Sequence, residues 1–248
     1  MLEKIISYPI SIVYYILFLF WLVLFHPIQW FCLRFLGYEA HKKSVAILNW
    51  FLVRNTHVLG TRYAFKNREL LPKNKPLIIV CNHQSLYDIP PIIWFMRAWH
   101  PKFVSKKELG KGIPSVSFNL RHGGSVLIDR KDAKQALSEI QKMGQYINKH
   151  KHSVVIFPEG TRSKTGVPKK FSENGFKTLC EHAPEALVVP IAINNSWKMQ
   201  KFGQFPMGLG TKITFEIIQP IEVSKHTFQE IMAYTQGEII KRVHSFTT

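Results

Sequence analysis

Cysteine is scarce in this chain, and no metal-binding spacing accompanies it. The three cysteines, Cys32, Cys81 and Cys180, lie far apart in apolar surroundings. An odd, scattered set of this kind indicates small buried hydrophobic residues in a reducing compartment. No His, Cys or Asp pairs near the motifs described below have the spacing of metal ligands, so we expect no metal. The sequence also lacks internal repeats and long Pro, Gly or Ser linkers, which favours a single domain of ordinary size after an apolar N-terminal region.

Acidic residues are also few. The chain has 33 Lys and Arg against 16 Asp and Glu, a formal net charge of +17. Such a balance suits nucleic acid, anionic lipid or an acidic carrier protein. Nucleic-acid binding is disfavoured because there is no zinc spacing, no RNP-like aromatic string and no recognisable helix-turn-helix. A basic protein with an apolar anchor is best explained by an anionic membrane surface, where each Lys or Arg adds about 1 kcal/mol.

The N-terminal region contains the one long apolar run. Residues Ile10 to Phe25 include one serine and no charge, and a second apolar stretch runs from Ile28 to Leu36. The first run would be only ~24 Å long as a helix, slightly short of the ~30 Å hydrocarbon core. Pro27 is expected to break or kink the helix, so two segments, the second only dipping into the interface, are at least as plausible as one span. A cleaved signal peptide is disfavoured because the apolar core is rich in bulky aromatic residues and no small-x-small cleavage site follows.

These patterns predict two regions, membrane-anchoring helices over 1–58 and a folded domain over 59–248. The basic residues His41, Lys42, Lys43, Arg54 and Arg62 follow the anchor. By the positive-inside tendency they place the domain on the cytoplasmic face of the membrane.

Alternating apolar runs and helical periodicities predict an α/β fold. We expect helices over 44–55, 86–98, 133–149, 175–181 and 228–243, and strands near 63–65, 77–81, 187–193 and 212–218. In the segment 133–149 the apolar residues recur with a 3.6-residue period, which is typical of a helix packed on a sheet.

The most informative segment is Asn82-His83-Gln84-Ser85-Leu86-Tyr87-Asp88, which directly follows an apolar run. A strand that ends in a polar turn before a helix presents its side chains at the carboxyl edge of the sheet, where α/β proteins bind ligands. A carboxylate near His83 can fix the tautomer of the ring and stabilise the imidazolium that forms when the other nitrogen accepts a proton. The pair could therefore deprotonate a hydroxyl on the substrate itself.

Two further strand-like runs end in charged turns. One is Gly123-Gly124-Ser125-Val126-Leu127-Ile128-Asp129-Arg130, and the other is Val154-Val155-Ile156-Phe157-Pro158-Glu159-Gly160-Thr161-Arg162-Ser163. We expect the three strand ends to converge on one edge of the sheet.

Together with Val188-Val189-Pro190-Ile191, these segments resemble in order and spacing the four motifs of the glycerolipid acyltransferases. The resemblance covers roughly residues 60–220 and implies an α/β domain over a central, mostly mixed sheet. It also implies acyl transfer from an acyl-CoA or acyl carrier protein thioester, as co-substrate, to a glycerol-type hydroxyl, with no resident cofactor. The best-known members convert lysophosphatidic acid to phosphatidic acid. Other lysolipids and amino-acid-derived lipids stay open as acceptors, and a non-catalytic membrane-binding homologue is the alternative that is not an enzyme.

The resemblance also implies roles for individual residues. His83 is the general base and Asp88 orients it. The substrate-binding residues are Lys106, Arg130, Glu159, Gly160, Thr161 and Arg162, and the supporting residues are Asn82, Gly124, Pro158 and Pro190. Lys106 is preferred over its neighbour Lys107, although the pattern does not separate them. Arg162 is the stronger phosphate ligand because a guanidinium can bind two oxygens at once.

Each assignment has a structural alternative. His83 could be a hydrogen-bonded turn residue and Asp88 an acid that favours the helix dipole. Arg130 could lie in a solvated loop, and Glu159 could be an acid that only stabilises its loop. The motif around Pro190 is best explained as a core strand, with the proline near its end, that supports the site.

The resemblance yields a first prediction. Because general-base assistance contributes ~10²–10⁴-fold in rate, His83→Ala should lose nearly all turnover while the protein stays folded. Acyl transfer and circular dichroism measured on the same preparation test this. A folded His83→Ala protein with normal activity would contradict it.

Overall fold

A mixed eight-stranded sheet lies at the centre of the computed structural model, which describes residues 2–243. The strand order is β1-β7-β6-β2-β5-β3-β4, with β8 beside β6. Strand β6 is antiparallel to β7 and β8, and the remaining pairs are parallel. The strands are β1 Arg62–Lys66, β2 Leu77–Cys81, β3 Pro101–Lys106, β4 Val126–Ile128, β5 Ser153–Ile156, β6 Leu187–Asn194, β7 Lys212–Ile217 and β8 Ile221–Glu222. The α/β class and the mixed sheet predicted from the sequence are confirmed.

Helices cover both faces of this sheet. They are α1 Leu2–Phe31, α2 Tyr38–Asn55, α3 Ile89–Phe95, α4 Val116–His122, α5 Ala133–His150, α6 Glu173–His182 and α7 Phe228–Arg242. Two are capped as helix-start patterns require, because Asp132 accepts from the Gln135 amide at α5 and Thr227 pairs with Glu230 at α7. The helices expected over 133–149, 175–181 and 228–243 are confirmed, whereas 86–98 divides into a 3-10 turn, α3 and a second 3-10 turn.

The central strands are buried along their whole length. Every residue of β2, β5 and β6 is buried, as expected for strands covered on both faces. Strand β2 lies between β5 and β6, with Val80 level with Ile156 on one side and Pro190 on the other. The turn that leaves β2 therefore emerges at the middle of the sheet.

Pro190 lies inside β6, so the expectation that it stands near the end of the strand is wrong. Its carbonyl accepts from the Ile218 amide at 3.0 Å, on the side of β6 where β7 and β8 pair. The β8 ladder covers Leu187 and Val188, and the β7 ladder starts at Ile191. Pro190 thus occupies the gap between two ladders, where its missing N–H costs no hydrogen bond.

Pro27 does not break the N-terminal helix. Helix α1 runs through it to Phe31, a π-helical turn follows over Cys32–Leu36, and the chain turns at Gly37. A proline removes one helical hydrogen bond, and packing against α2 offsets that loss. Leu22 and Phe25 of α1 form a buried cluster with Leu48 and Leu52 of α2. Of the alternatives predicted at Pro27, the break into two segments is therefore wrong, and one continuous helix is observed.

The turn between the two helices falls at Gly37 instead. This residue has φ 84° and ψ −177°, a conformation that glycine adopts without the strain that a Cβ would bring.

Helix α1 has one exposed apolar face and one buried face. Among the described residues, the segment Leu2–Leu36 is the one helix long and apolar enough to cross a membrane, and an 18-residue window within it has a mean hydropathy of 2.1. Its exposed apolar residues include Ile12, Val13, Ile16, Leu19, Phe20 and Val23. On the opposite face, Tyr14 is fully buried in the same hydrophobic cluster as Ile79 and Val155 of the sheet. The anchor predicted over 1–58 therefore contributes to the core around the sheet.

The docking of α1 can be tested at Tyr14. Tyr14→Ala should lower the free energy of unfolding by ~3–5 kcal/mol, since it removes a large side chain from the core. Denaturation of the detergent-solubilised protein measures this. Ile16→Ala is the matched control, because Ile16 lies on the same helix and is 63% exposed, and it should change stability by less than ~0.5 kcal/mol. Equal effects of the two changes would show that α1 does not dock through Tyr14.

Candidate active site

Four neighbouring parallel strands bring the sequence motifs to one edge of the sheet. Strands β2, β5, β3 and β4 run in the same direction, so their carboxyl ends lie at the same edge. The turns after Cys81, Ile156 and Ile128 begin there. The predicted convergence of three strand ends is therefore observed.

His83 and Asp88 are in direct contact. The His83 Nδ1 lies 2.8 Å from Asp88 Oδ2, and the side chains are 15% and 0% exposed, respectively. A carboxylate only accepts hydrogen bonds, so Nδ1 carries the proton and Nε2 is left as the basic nitrogen of the neutral ring. The His83 ring also stacks on Phe157, with centroids 4.2 Å apart and planes inclined by 25°. Both contacts fix the orientation of the imidazole.

The same carboxylate oxygen organises the turn. The amides of Gln84 and Ser85 donate to Asp88 Oδ2 at 2.8 and 2.9 Å. Ser85 Oγ in turn accepts from the Tyr87 amide, which completes a capping box at the 3-10 turn before α3. Asp88 is therefore a helix-start acid and the partner of His83 at once, so the structural and functional interpretations describe one set of contacts.

Glu159 joins the two principal motifs through the backbone. Its Oε1 accepts from the His83 amide at 2.9 Å and its Oε2 from the Lys169 amide at 3.0 Å. The side chain is 9% exposed, and burial raises the pKa of this carboxyl while the two amide bonds oppose the shift. The Ser163 amide also donates to the His83 carbonyl at 2.7 Å. Because both Glu159 oxygens are occupied, its geometry favours the loop-stabilising alternative.

The Pro-Glu-Gly turn sets the path of this loop. Gly160 has φ +69°, and its amide donates to the Phe157 carbonyl at 3.0 Å. A left-handed φ of this kind strains a residue with a Cβ. The Pro158 carbonyl accepts from the Ser172 amide at 2.9 Å. The turn therefore directs Thr161 and Arg162 away from the strand and past His83.

Lys169 stabilises this loop from the other side. This residue was not among those predicted from the sequence. Its Nζ donates to Thr161 Oγ1 at 2.8 Å and to the Arg162 carbonyl at 3.1 Å, and its amide binds Glu159. The available signal was only a pair of lysines, Lys169 and Lys170, after the motif. Such a pair is indistinguishable from an ordinary solvated surface.

Asn82 fastens the end of β2 to β6. Its Oδ1 accepts from the Ile193 amide at 2.7 Å, and its Nδ2 donates to the Ile193 carbonyl at 2.9 Å. The side chain is fully buried. The Asn82 side chain therefore makes the pair of hydrogen bonds that a backbone residue of a neighbouring strand would make to Ile193. It fixes the start of the turn that carries His83.

The predicted cationic residues lie at different distances from His83 along the sheet. Arg162 follows β5, the neighbour of β2, whereas Arg130 follows β4, three strands from β2 and thus ~14 Å away between strand axes. Lys106 is the exposed last residue of β3 and pairs with Ile128, two residues before Arg130. Within residues 2–243, the guanidinium groups of Arg130 and Arg162 form no hydrogen bond or ion pair. Both are therefore available to an anionic ligand.

Gly124 lies elsewhere. It precedes β4, at the opposite end of that strand from Arg130. Its φ is +84°, and a Cβ there would approach the Lys102 side chain to 3.2 Å. Gly124 is therefore remote from the guanidinium it was expected to support, because a strand separates the two ends of its motif.

No cluster of three or more His, Cys, Asp or Glu side chains that could hold a metal ion occurs between residues 2 and 243. The chemistry that this edge of the sheet displays is that of a carboxylate-oriented imidazole beside unpaired cations.

A comparison with family models accounts for this arrangement. The model described as Acyltransferase matches residues 62–194, more than half of the 248-residue chain. The chain belongs to the acyltransferase family. The matched range contains all four motifs, from the turn after β2 to the strand that holds Pro190, and confirms the resemblance read from the sequence.

Individual acyltransferases are similar over most of the chain. The 1-acyl-sn-glycerol-3-phosphate acyltransferase of Helicobacter pylori is 31% identical over 175 residues, which cover 67% of this chain and 70% of that protein. The enzyme of the same name from Pseudomonas aeruginosa is 31% identical over 184 residues, covering 72% and 69%.

A solved structure of the family shares the fold. The crystal structure of the 1-acyl-sn-glycerophosphate (LPA) acyltransferase PlsC from Thermotoga maritima matches with a TM-score of 0.80 and 24% identity. The match covers 97% of this chain and 96% of that chain, so the N-terminal helices of the acyltransferase described here are included in the shared architecture.

The role of Glu159 can be tested by stepwise removal of its oxygens. Glu159→Gln keeps one carbonyl acceptor and Glu159→Ala keeps none, and a buried amide left without an acceptor costs ~1–3 kcal/mol. We expect activity and thermal stability to fall in the order wild type, Gln, Ala. Glu173→Gln, at an exposed position on α6, is the control and should behave as wild type. A fully active, fully stable Glu159→Ala protein would rule out this role.

Proposed function

We propose that this acyltransferase transfers an acyl chain from an acyl thioester to the free hydroxyl of 1-acylglycerol 3-phosphate, giving phosphatidic acid. The observation that carries the proposal is the His83–Asp88 contact of 2.8 Å at the edge of the sheet where Arg162 presents an unpaired guanidinium. The names of the two bacterial relatives support the same acceptor.

In the proposed mechanism, His83 acts as general base through Nε2. The substrate hydroxyl gives its proton to Nε2 as its oxygen attacks the thioester carbonyl, and Asp88 stabilises the imidazolium at Nδ1. The tetrahedral intermediate then collapses, the C–S bond breaks, and the imidazolium returns the proton to the leaving thiolate. Atoms and charge balance without a covalent enzyme intermediate, so no Ser or Cys nucleophile is required.

Backbone amides near His83 differ in their availability to the developing oxyanion. The amides of His83, Gln84 and Ser85 are occupied by Glu159 and Asp88. Within the described part of the chain, the amides of Thr161 and Arg162 donate to no acceptor. Preorganised amide donors of this kind stabilise tetrahedral intermediates, so we assign the oxyanion site to this pair.

The acceptor's phosphate is assigned to the cationic edge. Arg162 is the first ligand because its loop is hydrogen-bonded to the His83 backbone through Ser163. Arg130 and Lys106 lie farther along the edge and complete the positive surface. A guanidinium with no carboxylate partner favours a phosphate over a neutral headgroup, because an unpaired charge in a site is costly.

Charge and hydropathy support the proposed acyl donor and the proposed location of the protein. Acyl-CoA and acyl carrier protein both present a thioester, and the net charge of +17 suits either anionic partner. The apolar face of α1 supports association with a membrane, and the basic residues that follow it support the cytoplasmic face. Other lysolipid acceptors stay as the enzymatic alternative, and a non-catalytic homologue as the alternative that is not an enzyme.

Acceptor choice is the decisive test. Membranes containing the protein should acylate 1-acylglycerol 3-phosphate in preference to 1-acylglycerol, and Arg162→Ala should lower kcat/KM for the phosphorylated acceptor by about 10–100-fold, the worth of a charged hydrogen bond. Arg162→Lys should retain part of the kcat/KM that Arg162→Ala loses. Arg130→Ala should have a smaller effect, because β4 is three strands from β2.

The control is the unphosphorylated acceptor, for which Arg162→Ala should change little. Equal losses with both acceptors would show that Arg162 does not bind phosphate. Product formation by wild-type membranes no greater than that by membranes without the protein would instead favour the non-catalytic homologue.

A further inference from the structure

A second polar cluster lies at the opposite edge of the sheet. Lys102 is the second residue of β3, His100 directly precedes β3, and His152 directly precedes β5. Lys102 and His100 are 4% and 6% exposed. Because β3 and β5 are parallel to β2 and β4, their amino ends face away from His83. The cluster is therefore separate from the proposed catalytic centre.

The members of this cluster are hydrogen-bonded in series. Lys102 Nζ donates to the Tyr38 hydroxyl and to the Gly123 carbonyl. The Tyr38 hydroxyl lies 2.9 Å from His100 Nε2, and His100 Nδ1 lies 2.9 Å from His152 Nε2. The series thus connects α2, β3 and β5 through neutral and basic groups alone.

The cluster holds a buried cation without a buried counter-charge. Among residues 2–243, no carboxylate forms a hydrogen bond or ion pair with Lys102. Burial lowers the pKa of Lys102 to about 7, and repulsion from Lys42 adds to the effect. Glu39 opposes the shift, but it is exposed and already paired with Lys42 at 2.6 Å. An anion at this position would remove an electrostatic cost that the protein alone leaves.

A cavity opens on this cation. Its volume is about 40 Å³, and its lining includes His41, Lys42, Arg97, His100, Lys102 and Asn119. One water needs roughly 10–15 Å³ by the same measure, so the space suits about three waters or one small tetrahedral anion.

His41 supplies an independent sign of a ligand. It is 1% exposed, and neither ring nitrogen has a hydrogen-bond partner within the described residues. Burial lowers the pKa of His41 to about 4, so near neutral pH its ring is uncharged and offers one N–H donor. A buried polar group without a partner costs ~1–3 kcal/mol in general. A ligand that accepts from His41 would satisfy it.

We propose that this cavity, lined by His41, Lys42, Arg97, His100, Lys102 and Asn119, binds a small oxyanion of the phosphate or sulfate class. Lys102 supplies charge and its third N–H, and His41 and Arg97 supply further donors. The inference is independent of the acceptor proposed for His83. It predicts a second anion site at the opposite edge of the sheet from His83.

Two sources of such an anion are compatible with the position of the cavity. Tyr38, which also lines it, follows the exposed apolar residues Phe35 and Leu36 of the anchor by two to three positions. The cavity therefore lies next to the end of the apolar surface. A lipid phosphate group and a free inorganic anion share the required chemistry, and the experiment separates them.

Sulfate is the primary probe, because its charge stays constant between pH 5 and 9. The full-length Arg130→Ala/Arg162→Ala protein in detergent provides a background in which the proposed catalytic phosphate ligands are removed. Sulfate should raise the Tm of this protein in a saturable manner. Stabilisation without saturation, or none at pH 6, would overturn the proposal.

The pH dependence has a defined sign. Lys102 is charged below about pH 7 and neutral above it in the empty protein, so sulfate binding at higher pH must take up a proton. Affinity should fall up to about tenfold per pH unit above pH 7. The ionisable groups that contact Lys102 or interact with it electrostatically are Tyr38, Glu39, His41, Lys42, His100 and His152. Next to these groups, His122 interacts with His41, Tyr146 interacts with Tyr38, and Arg97 lines the same cavity. The pKa of His41, His100 and His152 is lowered to about 4, 2 and 4, so these groups stay neutral over the range used.

Substitution at the cation separates this site from a general salt effect. Lys102→Met keeps most of the length of the side chain, removes its charge and should abolish the sulfate-dependent rise in Tm. Lys43→Met is the control, because Lys43 is exposed on α2 and does not line the cavity, and it should retain the full rise. An undiminished rise in Lys102→Met would overturn the proposal. His41→Phe provides a second variant, expected to weaken sulfate binding by about tenfold, the worth of one hydrogen bond to an anion.

The source of the anion is then determined by comparing the binding of dihexanoyl phosphatidic acid with that of dihexanoyl phosphatidylcholine. Tighter binding of phosphatidic acid than of sulfate, lost in Lys102→Met, would assign a lipid phosphate. Equal or weaker binding would assign a free anion. Failure of sulfate to bind would reject the site, whatever acceptor the catalytic centre uses.

Discussion

One carboxylate oxygen holds the candidate active site together. Asp88 Oδ2 accepts from the His83 ring and from two backbone amides, so the position of the imidazole and the path of the turn share one acceptor. Asp88 is fully buried, which strengthens each of these bonds and makes the loss of any of them costly. The ring therefore does not need to reorganise when it takes up a proton, which is the property a general base requires.

The surrounding contacts serve to keep this turn in place. Asn82 anchors its start to β6, Glu159 holds the His83 amide, and Lys169 holds the loop that carries Arg162. These bonds run mostly to backbone atoms, so they fix chain positions without contacting the reacting groups. A chemically simple site, with one imidazole and a few cations, thus depends on a dense set of polar contacts behind it.

The sequence revealed most of the site because its signals are local. His83 and Asp88 belong to one turn, and the buried strands before each motif are continuous apolar runs whose parallel arrangement brings their ends together. Predictions from the sequence failed where tertiary packing determines the local structure. Pro27 is tolerated because α1 packs on α2, and Pro190 is tolerated because two ladders meet at it.

Other features were invisible for the same reason. Lys169 has no local signature, and the buried set around Lys102 is assembled from α2, β3 and β5. Gly124 was placed with Arg130 because they are close in sequence, whereas a strand carries them to opposite edges. Proximity along the chain is a good guide within a turn and a poor one across a strand.

The burial of Tyr14 has a consequence for how this acyltransferase can be handled. The Tyr14 ring lies 6.0 Å from that of Tyr87, the residue before Asp88, and Phe18 lies 6.4 Å from the same ring. The exposed apolar face of α1 is thereby one layer away from the turn that carries His83. Trimming the chain before residue 59 to obtain a detergent-free enzyme would strip apolar cover from that turn. Helix α1 and the turn that carries His83 consequently belong to a single folding unit.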